Sequence, residues 1–227
     1  MLRSFQHPNI ISFDGVYETE NLIYLITEYL SGGTLETALK ARSVHSGEFI
    51  QGAIKDMLLA LDYLNSKNVM HRDIKPENII FREEDGKWVL SDFGLVAETT
   101  KEYLYDQCGT IGYIAPEILN HSENERYSQS CDIYSLGVIS YQLIVGELPF
   151  RVESENFFDK RLVWVLFDRD ECKSIPPTML SFLKEMLEEN PKQRLRPKEA
   201  LNHQFFSDSS VVEEVINFHE AKRKLRY

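Results

Sequence analysis

The 227-residue chain has few cysteines, a shortage of basic charge and no long apolar run. Its three cysteines, Cys108, Cys131 and Cys172, are odd in number and show no Cys-x-x-Cys spacing. That argues against a disulfide framework or a thiolate metal site, and a reducing cytoplasmic or nuclear setting fits best. Lys and Arg total 25 against 36 Asp and Glu, for a net charge of −11. Phosphate backbones are bound mainly through Lys and Arg, so no nucleic-acid partner is expected. An acidic surface suits basic protein partners, or solubility alone. The longest apolar stretch, Ile133 to Val145, is broken by Ser135, Gly137, Ser140 and Gln142. It is too short to cross a bilayer and reads as a helix buried on nearly every side. No charged start followed by an apolar run opens the sequence, so neither a secretory leader nor a membrane association is expected.

What is present is enough for one substantial core, with 43% hydrophobic residues. Met1 to Phe5 reads as the end of a helix, stopped at His7-Pro8-Asn9. Ile10 to Tyr17 and Leu22 to Glu28 read as strands joined by a polar turn. Gly32-Gly33 ends the second run, and Thr34 caps a short helix from Leu35. From Phe49 to Ser66, apolar residues at Phe49, Ile50, Ile54, Met57, Leu58, Leu61 and Leu64 keep helical spacing. Asn78 to Phe81 and Trp88 to Ser91 form a hairpin around Asp85-Gly86. After Pro116 the pattern is almost entirely helical, punctuated by prolines.

The chemistry lies around that hairpin. His71-Arg72-Asp73-Ile74-Lys75-Pro76-Glu77-Asn78 precedes it, and Asp92-Phe93-Gly94 follows it. Phosphoryl transfer needs little covalent help; it needs metal ions placed against phosphates and a hydroxyl aimed in line. Asp73 would orient the hydroxyl and accept its proton. Asn78 and Asp92 offer the hard oxygen ligands that Mg²⁺ demands. Lys75 would offset charge on the transferring phosphate.

In these motifs the chain resembles the eukaryotic protein kinase superfamily, over essentially Met1 to Phe206. The matched residues are, in order, His7-Pro8-Asn9-Ile10, the hinge-like Glu28-Tyr29-Leu30 with Gly32-Gly33, His71 to Asn78, Asp92 to Gly94, and Gly109-Thr110. Ala115-Pro116-Glu117, Asp132 with Gly137, and Arg194 complete the set. The order and spacing of these motifs make the match specific. Lys75-Pro76-Glu77-Asn78 resembles the Ser/Thr class, and the hinge with Cys108-Gly109-Thr110 is most like the calcium/calmodulin-dependent group. The resemblance implies ATP and Mg²⁺ as cofactors and proteins as substrates. It implies that the backbone of Glu28 and Leu30 binds adenine, with Thr27 as gatekeeper and Ile80 in the floor. Arg72 would pair with a phosphate on the activation segment, Leu95 to Ile114. Glu117 and Arg194 would form a buried ion pair, and Asp132 would hold the catalytic-loop backbone. Lys75 and Thr110 would meet the substrate hydroxyl. His71 is expected to be structural, its ring braced near Asp92 or Asp132, and Phe93 and Gly94 take structural or regulatory places beside Asp92.

The family's usual phosphosite falls on Asp106, which either mimics phosphate toward Arg72 or is an ordinary loop residue. Thr99, Thr100, Tyr103 and Tyr105 are further candidate sites. No glycine-rich phosphate loop or strand lysine precedes the hinge in this sequence. The expectation is a fragment or lobe-deleted form, weak or inactive alone, with an uncovered apolar face around Ile10, Ile11, Ile23 and Leu25. The tail after Phe206 is either a terminal helix or, through Lys222-Arg223-Lys224, a regulatory partner site. Thr34 stands where basic-directed relatives carry an acid, and Glu77 retains some acidic character. The expected fold is α+β and kinase-like: a small-lobe remnant over 1–28, a hinge and large helical lobe over 29–206, and a tail over 207–227. A non-catalytic kinase-like binding or scaffold module is the alternative function.

Overall fold

The computed structural model describes residues 2–41, 46–100, 107–120, 126–149, 167, 175–207 and 213. Two helices organise the body. α2 (Gly47–Ser66) starts where the Ser46 hydroxyl accepts the Phe49 amide at 3.1 Å. It buries Ile50, Ala53, Ile54, Met57, Leu58, Leu61 and Leu64, a single stripe at helical spacing. α4 (Ser130–Val145) is buried around its whole circumference; only Ser130 and Gln142 fall outside the buried set. Gly146, at φ 84°, ends it in the left-handed conformation that glycine adopts without penalty. A Cβ at Gly137 would sit 3.1 Å from both Met186 and Leu187, so this glycine lets α5 (Pro177–Met186) and its C-cap pack close.

The remaining helices are short: α1 (Leu35–Lys40), α3 (Pro116–Leu119), α6 (Pro197–Leu201) and α7 (Gln204–Ser207). The Thr34 hydroxyl caps α1 by accepting the Thr37 amide. α3, α5 and α6 each begin with a proline, whose missing N–H is no loss in a first turn. Met57, Met179 and Met186 lie in the core.

Three two-stranded antiparallel ladders complete the described residues. β1 (Phe13–Glu18) pairs with β2 (Ile23–Thr27), β3 (Val69–Met70) with β6 (Ala97–Glu98), and β4 (Ile79–Arg82) with β5 (Lys87–Leu90). The β4–β5 register sets Ile79 against Leu90 and Arg82 against Lys87. Every residue of β2 is exposed, with Ile23 at 67% and Leu25 at 60%. Ile10 corrects the expected uncovered face: it is 3% exposed and bridges Leu90 in parallel. The Leu90 amide donates to Asn9 O and the Ile11 amide to Leu90 O, both at 2.9 Å. Residues 9–11 therefore line β5, and the hairpin strand begins only at Phe13.

Candidate active site

The loop from His71 to Asn78 is held from below by one carboxylate. Asp132, in the first turn of α4 and 2% exposed, accepts the His71 amide at 2.7 Å and the Arg72 amide at 2.8 Å. These bonds hold Arg72 at φ 69°, a conformation costly for a residue with a side chain. Burial pushes the Asp132 carboxyl up to about 6, against the two amides that favour its charged form. The His71 ring is fully buried, and burial pulls its pKa down to about 4. Its Nε2–H reaches the Ser91 carbonyl at 3.0 Å, while Nδ1 accepts the Asp73 amide at 3.3 Å. The ring is thus braced by a backbone carbonyl, not by Asp92 or Asp132, because a neutral buried imidazole needs one donor and one acceptor partner. Phe93 packs edge-on against it, with ring centroids 4.9 Å apart.

Asp73 is 8% exposed and sits at the centre of the polar cluster. Lys75 Nζ lies 2.8 Å from its Oδ2, and the Thr110 hydroxyl donates to its Oδ1 at 2.6 Å. Lys75 also donates to Thr110 Oγ1 at 2.9 Å. Burial raises the Asp73 carboxyl, but hydrogen bonds from Lys75, Thr110 and Asn78, with the Lys75 charge, outweigh it and hold the group below its ordinary value. Asp73 is therefore an anion at neutral pH, already receiving an alcohol O–H.

Asn78 gives its amide nitrogen to Asp73 O at 2.9 Å and to Asp73 Oδ2 at 3.1 Å. Its side-chain oxygen, on a residue 6% exposed, accepts nothing among the described residues. The Ser91 amide and hydroxyl both return to Asn78 O, at 2.8 and 3.0 Å. The hairpin thus delivers the next residue, Asp92, beside Asn78. Asp92 is exposed at φ 56°, and its Oδ1 accepts the Gly94 amide at 3.2 Å. Among the described residues no cluster of three or more His, Cys, Asp or Glu could hold a metal. The Asn78 carboxamide oxygen, unpartnered among the described residues, and the Asp92 carboxylate are hard oxygen donors of the kind Mg²⁺ takes.

At the hinge, the exposed Thr27 donates its hydroxyl to Glu28 O at 3.3 Å, and the Leu30 amide has no partner among the described residues. Ile80, half-buried on β4, bridges Thr34 just after the hinge. The Gly32 amide donates to Phe81 O at 3.1 Å, and Phe81 N donates to Gly33 O at 2.9 Å.

A family model for the protein kinase domain matches residues 1–206. The chain belongs to the protein kinase family. It is 33% identical over 220 residues to calcium/calmodulin-dependent protein kinase type 1B of Rattus norvegicus and of Homo sapiens, covering 95% of this chain and 63% of each relative. The calcium/calmodulin-dependent protein kinase type 1 of Macrobrachium nipponense is also 33% identical, over 221 residues. The chain spans 63% of the length of these relatives. Its α+β, largely helical architecture is that of a kinase domain.

Beyond Ile114, the expected end of the activation segment, lies a buried ion pair. Arg194, its side chain 0% exposed, reaches the Glu117 carboxylate through Nη1 at 2.6 Å and Nη2 at 2.9 Å. It also donates to the carbonyls of Ser130 and Glu188, both at 2.8 Å, and lies over the Tyr134 ring. Near the segment's start, Arg72 Nε donates to Leu95 O and its Nη1 to the Tyr127 hydroxyl at 3.0 Å. Asp106, Tyr103, Tyr105 and the tail beyond Ser207, apart from Glu213, lie outside the described residues. Thr99 donates its amide and hydroxyl to Asn68 O.

Sequence reasoning missed Ser91, Tyr127 and Arg82. Ser91 and Tyr127 belong to no short motif, and Arg82 reads as an ordinary charged hairpin residue. The one available signal was that Ser91 directly precedes Asp92.

Proposed function

We propose that this chain supplies the catalytic body of a Ser/Thr protein kinase, which transfers the terminal phosphoryl group of Mg-ATP to protein hydroxyls. The observation that carries the reading is Asp73 receiving the Thr110 hydroxyl while Lys75 and Asn78 hold its other oxygen. An alcohol approaching Asp73 meets an acceptor with a fixed orientation. The low basicity of the carboxylate suits alignment of the hydroxyl, with the proton taken late. Lys75, bridging Asp73 and Thr110, would set a cation beside the transferring phosphate. Asn78 Oδ1 and the Asp92 carboxylate would hold Mg²⁺, which neutralises phosphate charge when bound. The backbone of Glu28 and Leu30, with Thr27 and Ile80, would take the adenine.

The Ser/Thr assignment rests on Lys75-Pro76-Glu77-Asn78 and on the named relatives. Cys108 and Cys131 are free thiols, which supports a reducing cytoplasmic or nuclear setting. Among the described residues, no helix is long and apolar enough to cross a membrane. A binding or scaffold role draws on a different observation, the exposed apolar residues Leu22 to Ile26.

Two measurements on the 227-residue chain test the proposal. Mg-ATP should raise the melting temperature saturably and only with the metal, corresponding to about 2.7 kcal/mol at a hundredfold excess over Kd. Transfer to a Ser/Thr peptide, weak from a chain with neither the glycine-rich loop nor the strand lysine, should fall further in Asp73→Asn. No metal-dependent shift, together with transfer equal to the Asp73→Asn control, would favour the scaffold role.

A further inference from the structure

The hinge is approached from one side by a strand with little hold on the body. Among the described residues, β2 pairs only with β1, and every β2 residue is exposed. On the other side, Gly32 and Gly33 are strapped to Phe81 of β4. The leading edge of the hinge has one backbone bond, from the Glu28 amide to Ser12 O at 3.1 Å, and is held to the body through a side chain. The Glu28 carboxylate accepts Arg82 Nε at 3.0 Å and Arg82 Nη2 at 2.8 Å, a two-pronged contact. Glu28 Oε1 also accepts the Ser12 amide at 2.7 Å. The third nitrogen, Arg82 Nη1, donates to Pro8 O at 2.8 Å and to Asp85 Oδ2 at 3.3 Å. One guanidinium therefore ties the hinge, the Pro8 turn and the β4–β5 turn together. With side chains only 16% and 23% exposed, the pair is partly shielded from water.

Arg82 occupies a telling place along the chain. Asn78, which carries the unpartnered oxygen, directly precedes β4, and Arg82 ends it. One short strand thus spans from the metal ligand to the clamp, about 13 Å at roughly 3.3 Å per residue. We propose that Arg82 is a positioning residue for the nucleotide: by clamping Glu28 it fixes the hinge backbone, Glu28 to Leu30, at a set distance from Asn78 and Asp92. The proposal rests on the nucleotide-binding function above. A planar fork of donors is required, because lysine offers a point charge and cannot make two parallel bonds to one carboxylate.

The test uses Arg82→Gln and Arg82→Lys in the 227-residue chain. Amide hydrogen exchange is read at Ser12 and Glu28, with Ser91 and Gly146 as references, and Mg-ATP affinity and turnover are read alongside. In Arg82→Gln, Ser12 and Glu28 should exchange about tenfold faster or more while Ser91 and Gly146 hold. The Kd for Mg-ATP should rise about tenfold with kcat within about twofold, because only positioning of the bound nucleotide is lost. Arg82→Lys should fall between the two. Unchanged exchange at Ser12 and Glu28 overturns the clamp. Equal acceleration at all four amides makes Arg82 a general stability residue, and faster hinge exchange with unaltered Kd leaves the clamp without a nucleotide role. A wild-type chain that does not bind Mg-ATP defeats the proposed function itself, and the nucleotide role of Arg82 with it. Binding by wild type that Arg82→Gln leaves unchanged defeats only the inference.

Discussion

Asp132 and His71 face each other through a single backbone amide, and acid acts on them in opposite directions. His71 titrates at about 4 in the folded chain against an ordinary value of 6.5, so the unfolded chain takes its proton first. Stability is therefore lost as pH falls from about 6.5 to about 4. Asp132 titrates at about 6 against 3.8, so the folded chain takes its proton first and stability rises as pH falls over nearly the same window. Each effect is on the order of 3 kcal/mol, and the two oppose each other. Asp132→Asn removes the compensating member. Its stability in urea should be lower throughout and fall more steeply than wild type between pH 6.5 and 4; parallel curves would contradict this account. At the other end of the segment, Arg194 is fully enclosed with Glu117. Arg194→Ala strands a half-buried carboxylate and should cost about 3–5 kcal/mol in denaturant unfolding. Arg194→Lys should recover only part of it, since the fork to Glu117 and the carbonyls of Ser130 and Glu188 cannot be rebuilt by one ammonium. A loss below about 1 kcal/mol for the alanine variant would show that the ion pair is not what holds this corner.

At the scale of elements, the join between hinge and hairpin is set by contact distance. A Cβ on Gly32 would lie 2.6 Å from Phe81 O and 2.7 Å from the Phe81 ring. Phe81 O is backbone and is already bonded to the Gly32 amide, so it cannot move without opening the strap. Gly32→Ala should therefore destabilise by about 2 kcal/mol or more despite being a one-carbon change. Gly33→Ala should act through its φ of 78° instead, since nothing lies near its Cβ. Equal thermal stability of Gly32→Ala and wild type would show that the strap opens without cost. From sequence, Gly32-Gly33 read as a break after a strand and as part of the hinge-like motif, but its contact with Phe81 was hidden, because that residue lies far along the chain. The long helices were legible for the opposite reason: the α2 stripe is local, and periodicity reports local burial. The β3–β6 ladder escaped notice because its strands are two residues each, too short to carry a period.

Over the whole molecule, the site was more legible than its supports. Asp73, Asn78 and Asp92 stand in short motifs whose chemistry fixes residue type, whereas Ser91, Tyr127 and Arg82 act through contacts that only folding creates. The same limit misjudged the apolar face. Ile10 and Ile23 look alike in sequence, yet one lies against Leu90 in the core and the other is 67% exposed. The difference follows from which backbone edge each meets. β5 offers Leu90 an open partner in residues 9–11, while β2 finds only β1 among the described residues. Ile23 and Leu25 therefore project from one face of β2, and Tyr24 and Ile26 from the other, all at least 48% exposed. A bare apolar two-stranded sheet with open edges is a template for pairing with another chain. The 227-residue chain should accordingly self-associate as its concentration rises. Replacing Ile23 and Leu25 with lysine charges one face and should weaken that association about tenfold or more, because like charges would then have to meet across the contact. Stability of the helical body should change by less than about 0.5 kcal/mol, since neither side chain reaches the core. Sedimentation velocity over a concentration series decides the matter: a wild-type chain monomeric throughout, or a double-lysine variant associating as strongly, would show that the exposed sheet is not the adhesive surface.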